Sequence, residues 1–205
     1  MMEEAKKRLR ICITLDDVVR AKTRKIGETY QKFIDPTIDL DSLEITSCDM
    51  SKVLPFKSRR AYQEFLYQDY CLDIFGNAPT ATKLLGPEIN QWLVSLENMD
   101  TEYDIEVFFA NPLEFNQSIG MTHFFLSRYA TRVRKVLLPE DSITLWDECD
   151  VMVTAYPTLL ENVPEGKKCV RIDMPYNTEI ESGMSYGTLH ELISDESFIE
   201  KVTGQ

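Results

Sequence analysis

Five short apolar runs, at residues 9–15, 103–109, 132–138, 150–154 and 168–172, constrain what this chain can fold into more than any other feature. Val, Ile and Leu dominate them, and several are almost continuous in apolar residues rather than alternating. A strand of that kind suits burial on both faces, as in a parallel sheet covered by helices. Helical patterns separate the later runs. Asn111 and Pro112 supply an N-cap and a first-turn proline, and Phe115, Ile119, Leu126 and Tyr129 recur on one face behind them. Thr188 and Glu191 have capping-box spacing ahead of Leu189, Leu192 and Ile193. Strand and helix alternate from about Tyr103 onward, the pattern of a three-layer, doubly wound, Rossmann-like α/β sheet.

Nearly ninety residues separate the first two runs, too many for one crossover. Helices are expected there at 19–34, 60–75 and 87–98, the last with Ile89, Trp92, Leu93 and Leu96 at helical spacing. The resulting organisation is an α/β core of 1–18 and 99–205 with a helical cap, 19–98, inserted after the first strand and packed over the carboxyl ends of the strands.

The bulk numbers exclude several classes. At 205 residues the chain can bury one good core or a core plus a small inserted domain. A net charge of −12 argues against extended nucleic-acid binding. No apolar run approaches the roughly 20 residues of a membrane span, and the charged start lacks a secretory signal, so the expected location is the cytoplasm. The cysteines, Cys12, Cys48, Cys71, Cys149 and Cys169, are widely spaced and contain no Cys-x-x-Cys pair, which reads as reduced thiols. With only His123 and His190, a histidine-rich metal site is excluded. Two basic clusters, Arg20/Lys22/Arg24/Lys25 and Lys57/Arg59/Arg60, are solvated helix faces or the lining of an anion cleft.

The first strand runs into paired acids as Ile11-Cys-Ile-Thr-Leu-Asp-Asp-Val-Val19. That segment resembles the opening signature of the haloacid dehalogenase superfamily of phosphohydrolases, an apolar strand ending in Asp-x-Asp. Thr14 stands at the position of the nucleophilic Asp, Asp16 at the second acid, and Asp17 where the nucleotidase branch usually has Gly. Asp150-Val-Met-Val-Thr-Ala155 and Arg171-Ile-Asp-Met-Pro-Tyr-Asn177 resemble later segments of the cytosolic 5′(3′)-deoxyribonucleotidase-like branch. The resemblance implies the core-and-cap fold already described. In that family the first Asp attacks phosphorus and the second acts as general acid and base. A threonine hydroxyl is a poor replacement, since it needs a base and gives a phosphoester that is hard to hydrolyse.

The other motifs depart in the same direction. Ala110 occupies the position of the phosphate-holding Ser or Thr, with Asn111 beside it. The expected lysine position is Thr144, and no Lys lies between Lys135 and Lys167. The metal-holding Asp pair falls at Thr154 and Ala155. Asp147, Glu148 and Asp150 precede their strand and so belong about 13 Å from the cleft, four residues at roughly 3.3 Å each, while Asp173 is a distant further acid. Only Asp16 and Asp17 remain as magnesium ligands, and two carboxylates hold that ion weakly.

Three functions follow. The leading one is a non-catalytic pseudophosphatase that binds a small phosphorylated ligand or a protein. Its ligand-binding residues would be Thr14, Asp16, Asp17, Asn111 and Thr154, with Arg20 or Lys22 reaching from the first helix, and no cofactor is expected. The second is a divergent Mg-dependent phosphohydrolase acting on nucleotides or other small phosphoesters, in which Asp16 activates water. The third is a structural or assembly subunit using Tyr62, Tyr67 or Tyr70 as an interface.

Overall fold

The apolar runs are strands of one sheet. A computed structural model describes residues 6–81, 86–112, 117–129 and 131–204. Within them, β1 (Lys7–Thr14), β2 (Tyr103–Ala110), β3 (Val136–Leu137), β4 (Val151–Thr154), β5 (Lys168–Ile172) and β6 (Met184–Tyr186) form a six-stranded sheet in the order β3-β2-β1-β4-β5-β6. Every pairing is parallel. The continuous apolar character of the strands has the expected cause. Ile11, Cys12 and Ile13 are all fully buried, because successive side chains enter different cores on the two faces. Ile11, Ile13, Phe109, Val151 and Val153 belong to one core. Cys12, Phe108, Ala110 and Met152 belong to the other.

Helices cover both faces. On the first lie α3 (Pro87–Glu97), α4 (Gln117–Ser127), α7 (Leu189–Ile193) and α8 (Phe198–Thr203), through Trp92, Phe125, Leu192 and Phe198. On the second lie α5 (Leu145–Glu148) and α6 (Pro157–Glu161), through Trp146 and Leu159. The capping box at Thr188 forms, with its hydroxyl accepting from Glu191 N at 3.2 Å. The Glu191 carboxylate closes back on Gly187 N rather than on Thr188 N. Phe115 lies outside the described residues.

The stretch between β1 and β2 has its own core. Helix α1 (Lys22–Phe33) and α2 (Arg59–Glu64) contribute Ile26, Tyr30 and Tyr62 to an aromatic cluster with Phe65, Tyr67 and Phe75. Tyr30 and Phe56 meet edge to face at 4.8 Å between centroids, the favoured geometry for aromatic pairs. By contrast α3, placed in the insertion by sequence, buries Ile89, Trp92 and Leu96 in the sheet core.

Several expectations need correction. The first helix begins at Lys22 rather than Val19, because residues 15–21 are tied into a tight turn in which Arg20 N bonds Leu15 O and Ala21 N bonds Pro79 O. The helix expected at 60–75 is α-helical only to Glu64, then continues as two π-helical turns, Phe65–Asp69 and Leu72–Gly76. Strand β3 is two residues long, since Arg132 N is drawn to Asn90 of α3 at 2.6 Å instead of joining the sheet. Strand β6 was not foreseen, being short and half-exposed. Tyr62 and Tyr67 are 7% and 6% exposed and pack the cap, so they offer no interface. No helix among the described residues is long and apolar enough to cross a membrane.

Candidate functional site

The chain builds the sheet outward from β1 through β2 to β3, then returns to place β4 on the other side of β1. Such a reversal leaves a crevice at the carboxyl ends of the two central strands, where ligands of open α/β sheets bind. Thr14 and Thr154 end those strands. Asp16, Asp17, Arg20 and Lys22 follow β1, Asn111 follows β2 and Tyr156 follows β4.

The crevice is filled from within. The Thr14 hydroxyl donates to Thr154 Oγ1 at 3.1 Å, and Thr154 Oγ1 also accepts from Tyr156 N at 3.0 Å. Both threonines are fully buried. Their hydrogen bonds run to each other and to Tyr156 N, and none runs to an acid or a histidine among the described residues. Asp16 is 2% exposed and its carboxylate is fully engaged. Oδ1 accepts from Arg20 Nε at 2.7 Å and forms an ion pair with Nη2 at 2.6 Å. Oδ2 receives Lys22 Nζ at 3.0 Å, Asn111 Nδ2 at 3.1 Å and the Tyr156 hydroxyl at 3.1 Å. Asn111 completes a two-way clasp by accepting from Asp16 N at 3.1 Å. Burial alone would push the Asp16 pKa up, but the charges of Arg20 and Lys22 outweigh it and hold the carboxyl well below the usual carboxylate range.

Arg20 is the largest fully buried side chain among the described residues. Beyond Asp16 it donates to Phe75 O at 3.1 Å and Thr122 Oγ1 at 3.3 Å, and its guanidinium lies over the rings of Phe75 and Phe125. The carbonyl it uses belongs to the second π-helical turn, so the irregular helix, the turn after β1 and α4 all meet at one arginine. A buried cation so paired and so sandwiched is a structural fastener.

Asp17 has a φ of 61°, the left-handed region that Asp tolerates better than most residues. Its carboxylate accepts from Thr23 N at 2.9 Å and from the Thr23 hydroxyl, capping the first turn of α1 across the tight turn. The Tyr176 hydroxyl donates to the same carboxylate at 2.8 Å. Burial pushes the Asp17 pKa up, against the opposing pull of Lys22 and Thr23. It also raises the Tyr176 phenol well above its ordinary value, with the Asp17 charge adding to the rise. Asn177 ties the ends of β4 and β5 by donating to Ala155 O and Ile172 O, both at 3.0 Å.

The six residues expected from sequence, Thr14, Asp16, Asp17, Arg20, Asn111 and Thr154, thus lie together in one network, in which Arg20 Nη2 is ion-paired with Asp16 but makes no hydrogen bond. Of the first basic cluster, Arg20 and Lys22 turn inward, whereas Arg24 pairs with Glu28 on the surface. The remaining acids lie elsewhere. Asp150, at the amino end of β4, pairs with Arg10 of β1 and with Lys167, Glu148 pairs with Lys135, and Asp173 pairs with Arg171.

The sequence resemblance implies magnesium, and these residues do not fit it. Both oxygens of Asp16 face cations, and those of Asp17 are taken by Thr23 and Tyr176. Among the described residues no three acidic, histidine or cysteine side chains converge. A hard divalent ion asks for six oxygens in near-octahedral array.

Beside this network lies a cavity of about 160 Å³ at the boundary of cap and sheet, lined by Lys22, Cys48, Arg59, Tyr62, Tyr67 and Tyr156 among others. Tyr156 was missed by sequence reasoning. Its signal is positional, as it stands two residues past β4 and immediately ahead of Pro157, the first residue of α6. Arg59 pairs with Asp49 at 3.3 Å on the cavity wall.

No family model and no curated protein matches this chain. Solved structures do. A haloacid dehalogenase-like hydrolase from Bacteroides fragilis superposes with a TM-score of 0.57 over 91% of this chain and 100% of its own, at 10% identity. A second from Burkholderia xenovorans LB400 superposes with a TM-score of 0.50 over 93% of this chain and 97% of its own, also at 10% identity. The fold is that of a haloacid dehalogenase-like hydrolase. At this identity the likeness is one of architecture and carries no residue across. It agrees with the six-stranded parallel sheet covered by helices.

Proposed function

We propose that this protein is a non-catalytic member of the haloacid dehalogenase-like fold that holds a small anion, of the size of phosphate, between cap and sheet. The observation that carries the reading is the state of Asp16. A general acid must hold a proton that it can release, and a general base must have a free lone pair facing substrate. Asp16 is ionised, buried, and committed to Arg20, Lys22, Asn111 and Tyr156. Freeing it would strand two cations in a low-dielectric site, a cost of several kcal/mol.

Binding falls instead to the outward side of the network. Lys22, which Asp16 shares with Arg20, and Arg59, which pairs with Asp49, place two cations on the cavity wall, and Tyr62, Tyr67 and Tyr156 bring phenol groups there. A cavity of about 160 Å³ has room for about five waters. That suits a phosphate group and not a whole nucleotide. In this reading the cap is the stretch with the aromatic core, and α3 is part of the sheet domain.

The test is calorimetric titration of inorganic phosphate into the protein and into Lys22→Met. Phosphate is expected to bind in the millimolar range, with at least about a tenfold loss in the variant, the equivalent of 1.4 kcal/mol. Adenosine monophosphate is expected to bind no more tightly than phosphate. Absence of heat from phosphate at high millimolar concentration would refute the proposal.

A further inference from the structure

The outer edge of β2 is open. Strand β2 pairs with β1 along its whole length, from Lys7↔Tyr103 to Thr14↔Ala110. On the other side it meets β3 only through Phe109 and Ala110. In a parallel ladder, alternate residues turn their N–H and C=O to one neighbour and the rest to the other. The bonds fix which is which. Glu102 O and Ala110 O accept from β1 and the residue after it, whereas Phe109 N and Asn111 N donate to Lys135 O and Leu137 O. Odd-numbered residues of β2 therefore face outward, and Ile105 and Val107 have no backbone partner there among the described residues.

The chain that could have covered them turns away. Residues 131–135 approach β2 only at Lys135, because Arg132 N is held by Asn90 Oδ1 of α3. Between that segment, α3 and the bare edge lies a groove of about 370 Å³, lined by the apolar Leu93, Leu96 and Val133 and by the basic Arg132, Arg134 and Lys135. Glu97 and Glu106, also in the groove, are paired with Arg132 and Lys135. Arg134 is exposed and has no counter-charge among the described residues.

We infer that this groove is a strand-addition site for an extended acidic segment of a partner protein. Unsatisfied N–H and C=O groups along a sheet edge template another strand, and pockets beside the edge select its alternate side chains. Charge picks the partner. On a chain of net charge −12, an acidic segment is repelled over most of the surface and attracted here by Arg134, the basic residue of the groove that has no counter-charge among the described residues, Arg132 and Lys135 being already paired.

The probe is a capped octapeptide of alternating glutamate and valine, with a control in which alternate backbone nitrogens are methylated so that one edge cannot pair. Hydrogen exchange of the Ile105 and Val107 amides reads the site directly. The expected result is fast exchange in the free protein, at least about tenfold protection with the peptide, little with the methylated control, and weaker protection in Arg134→Glu at unchanged melting temperature. Amides already protected in the free protein would overturn the proposal, as would peptide at millimolar concentration leaving their exchange unchanged. Protection that grows with protein concentration alone would also overturn it, by showing that the edge pairs with a second copy of this chain.

Discussion

Asp16→Asn is nearly isosteric, yet it strikes the network at its centre. Arg20 keeps one oxygen to donate to, but the new amide nitrogen points donors at groups that are themselves donors: Lys22 Nζ, Asn111 Nδ2 and the Tyr156 hydroxyl. The variant also leaves two cations with no counter-charge, one of them fully buried. Removing one partner of a buried ion pair costs about 3–5 kcal/mol. For a chain of 205 residues, at roughly 2–4 °C per kcal/mol, the melting temperature is expected to fall by roughly 6–20 °C. The double variant Asp16→Asn/Arg20→Met should recover part of the loss, with a coupling of about 0.5–3 kcal/mol. A working catalytic carboxylate behaves in the opposite way, because active sites are held at a cost in stability and neutralising them commonly stabilises.

The pH dependence gives a second reading of the same residue. The folded-state pKa of Asp16 is depressed, since the attraction of Arg20 and Lys22 outweighs burial. Its contribution is therefore present above the unfolded value of about 3.9 and is lost as pH falls through the lower folded value. Below about pH 4 the wild-type protein should lose stability more steeply than Asp16→Asn, by up to about 1.4 kcal/mol per pH unit. Chemical denaturation followed by tryptophan fluorescence measures both effects. A variant that melts at or above the wild-type temperature with an unchanged acid limb would refute the assignment of Asp16 as a structural centre.

Two further outcomes follow from the same geometry. Thr23→Val keeps the backbone bond to Asp17 but removes the hydroxyl bond, and denaturant unfolding should show a loss of about 1.5–3 kcal/mol, the range for a hydrogen bond to a charged group. Cys12 and Cys149 are fully buried, and the side-chain hydrogen bond that the Cys12 thiol donates to Cys149, together with burial, pushes the Cys12 thiol far up. Burial also raises Cys169, to about 12. Native thiol titration at pH 8 is then expected to miss Cys12 and Cys149 and to count all five cysteines only after unfolding.

The parallel sheet was legible because burial on two faces writes a continuous apolar run, as in Ile11-Cys12-Ile13, that no half-exposed strand would carry. Strand β6 was not, since an edge strand of three residues around Ser185 leaves no such trace. Helical spacing located α3 but not its partner. Ile89, Trp92 and Leu96 show an apolar face without showing whether sheet or cap covers it. The π-helical turns were illegible for a related reason, as their winding shows where Phe75 O is used and not in local propensity. At the site, position relative to strand ends gathered residues that the structure also brings together. What it could not supply was direction. Whether Arg20 reaches outward to an anion or inward to Asp16 depends on the tight turn that precedes α1, a tertiary feature fixed by bonds to Leu15 and Pro79.

The most direct test of the central claim is phosphate release from a panel of nucleoside monophosphates and p-nitrophenyl phosphate in magnesium, comparing the protein with Asp16→Asn. If Asp16 is consumed by Arg20 and Lys22, both proteins release phosphate at the rate of the buffer blank. Magnesium-dependent release by the wild-type protein that vanishes in the variant would contradict the account and make Asp16 a working general acid or base.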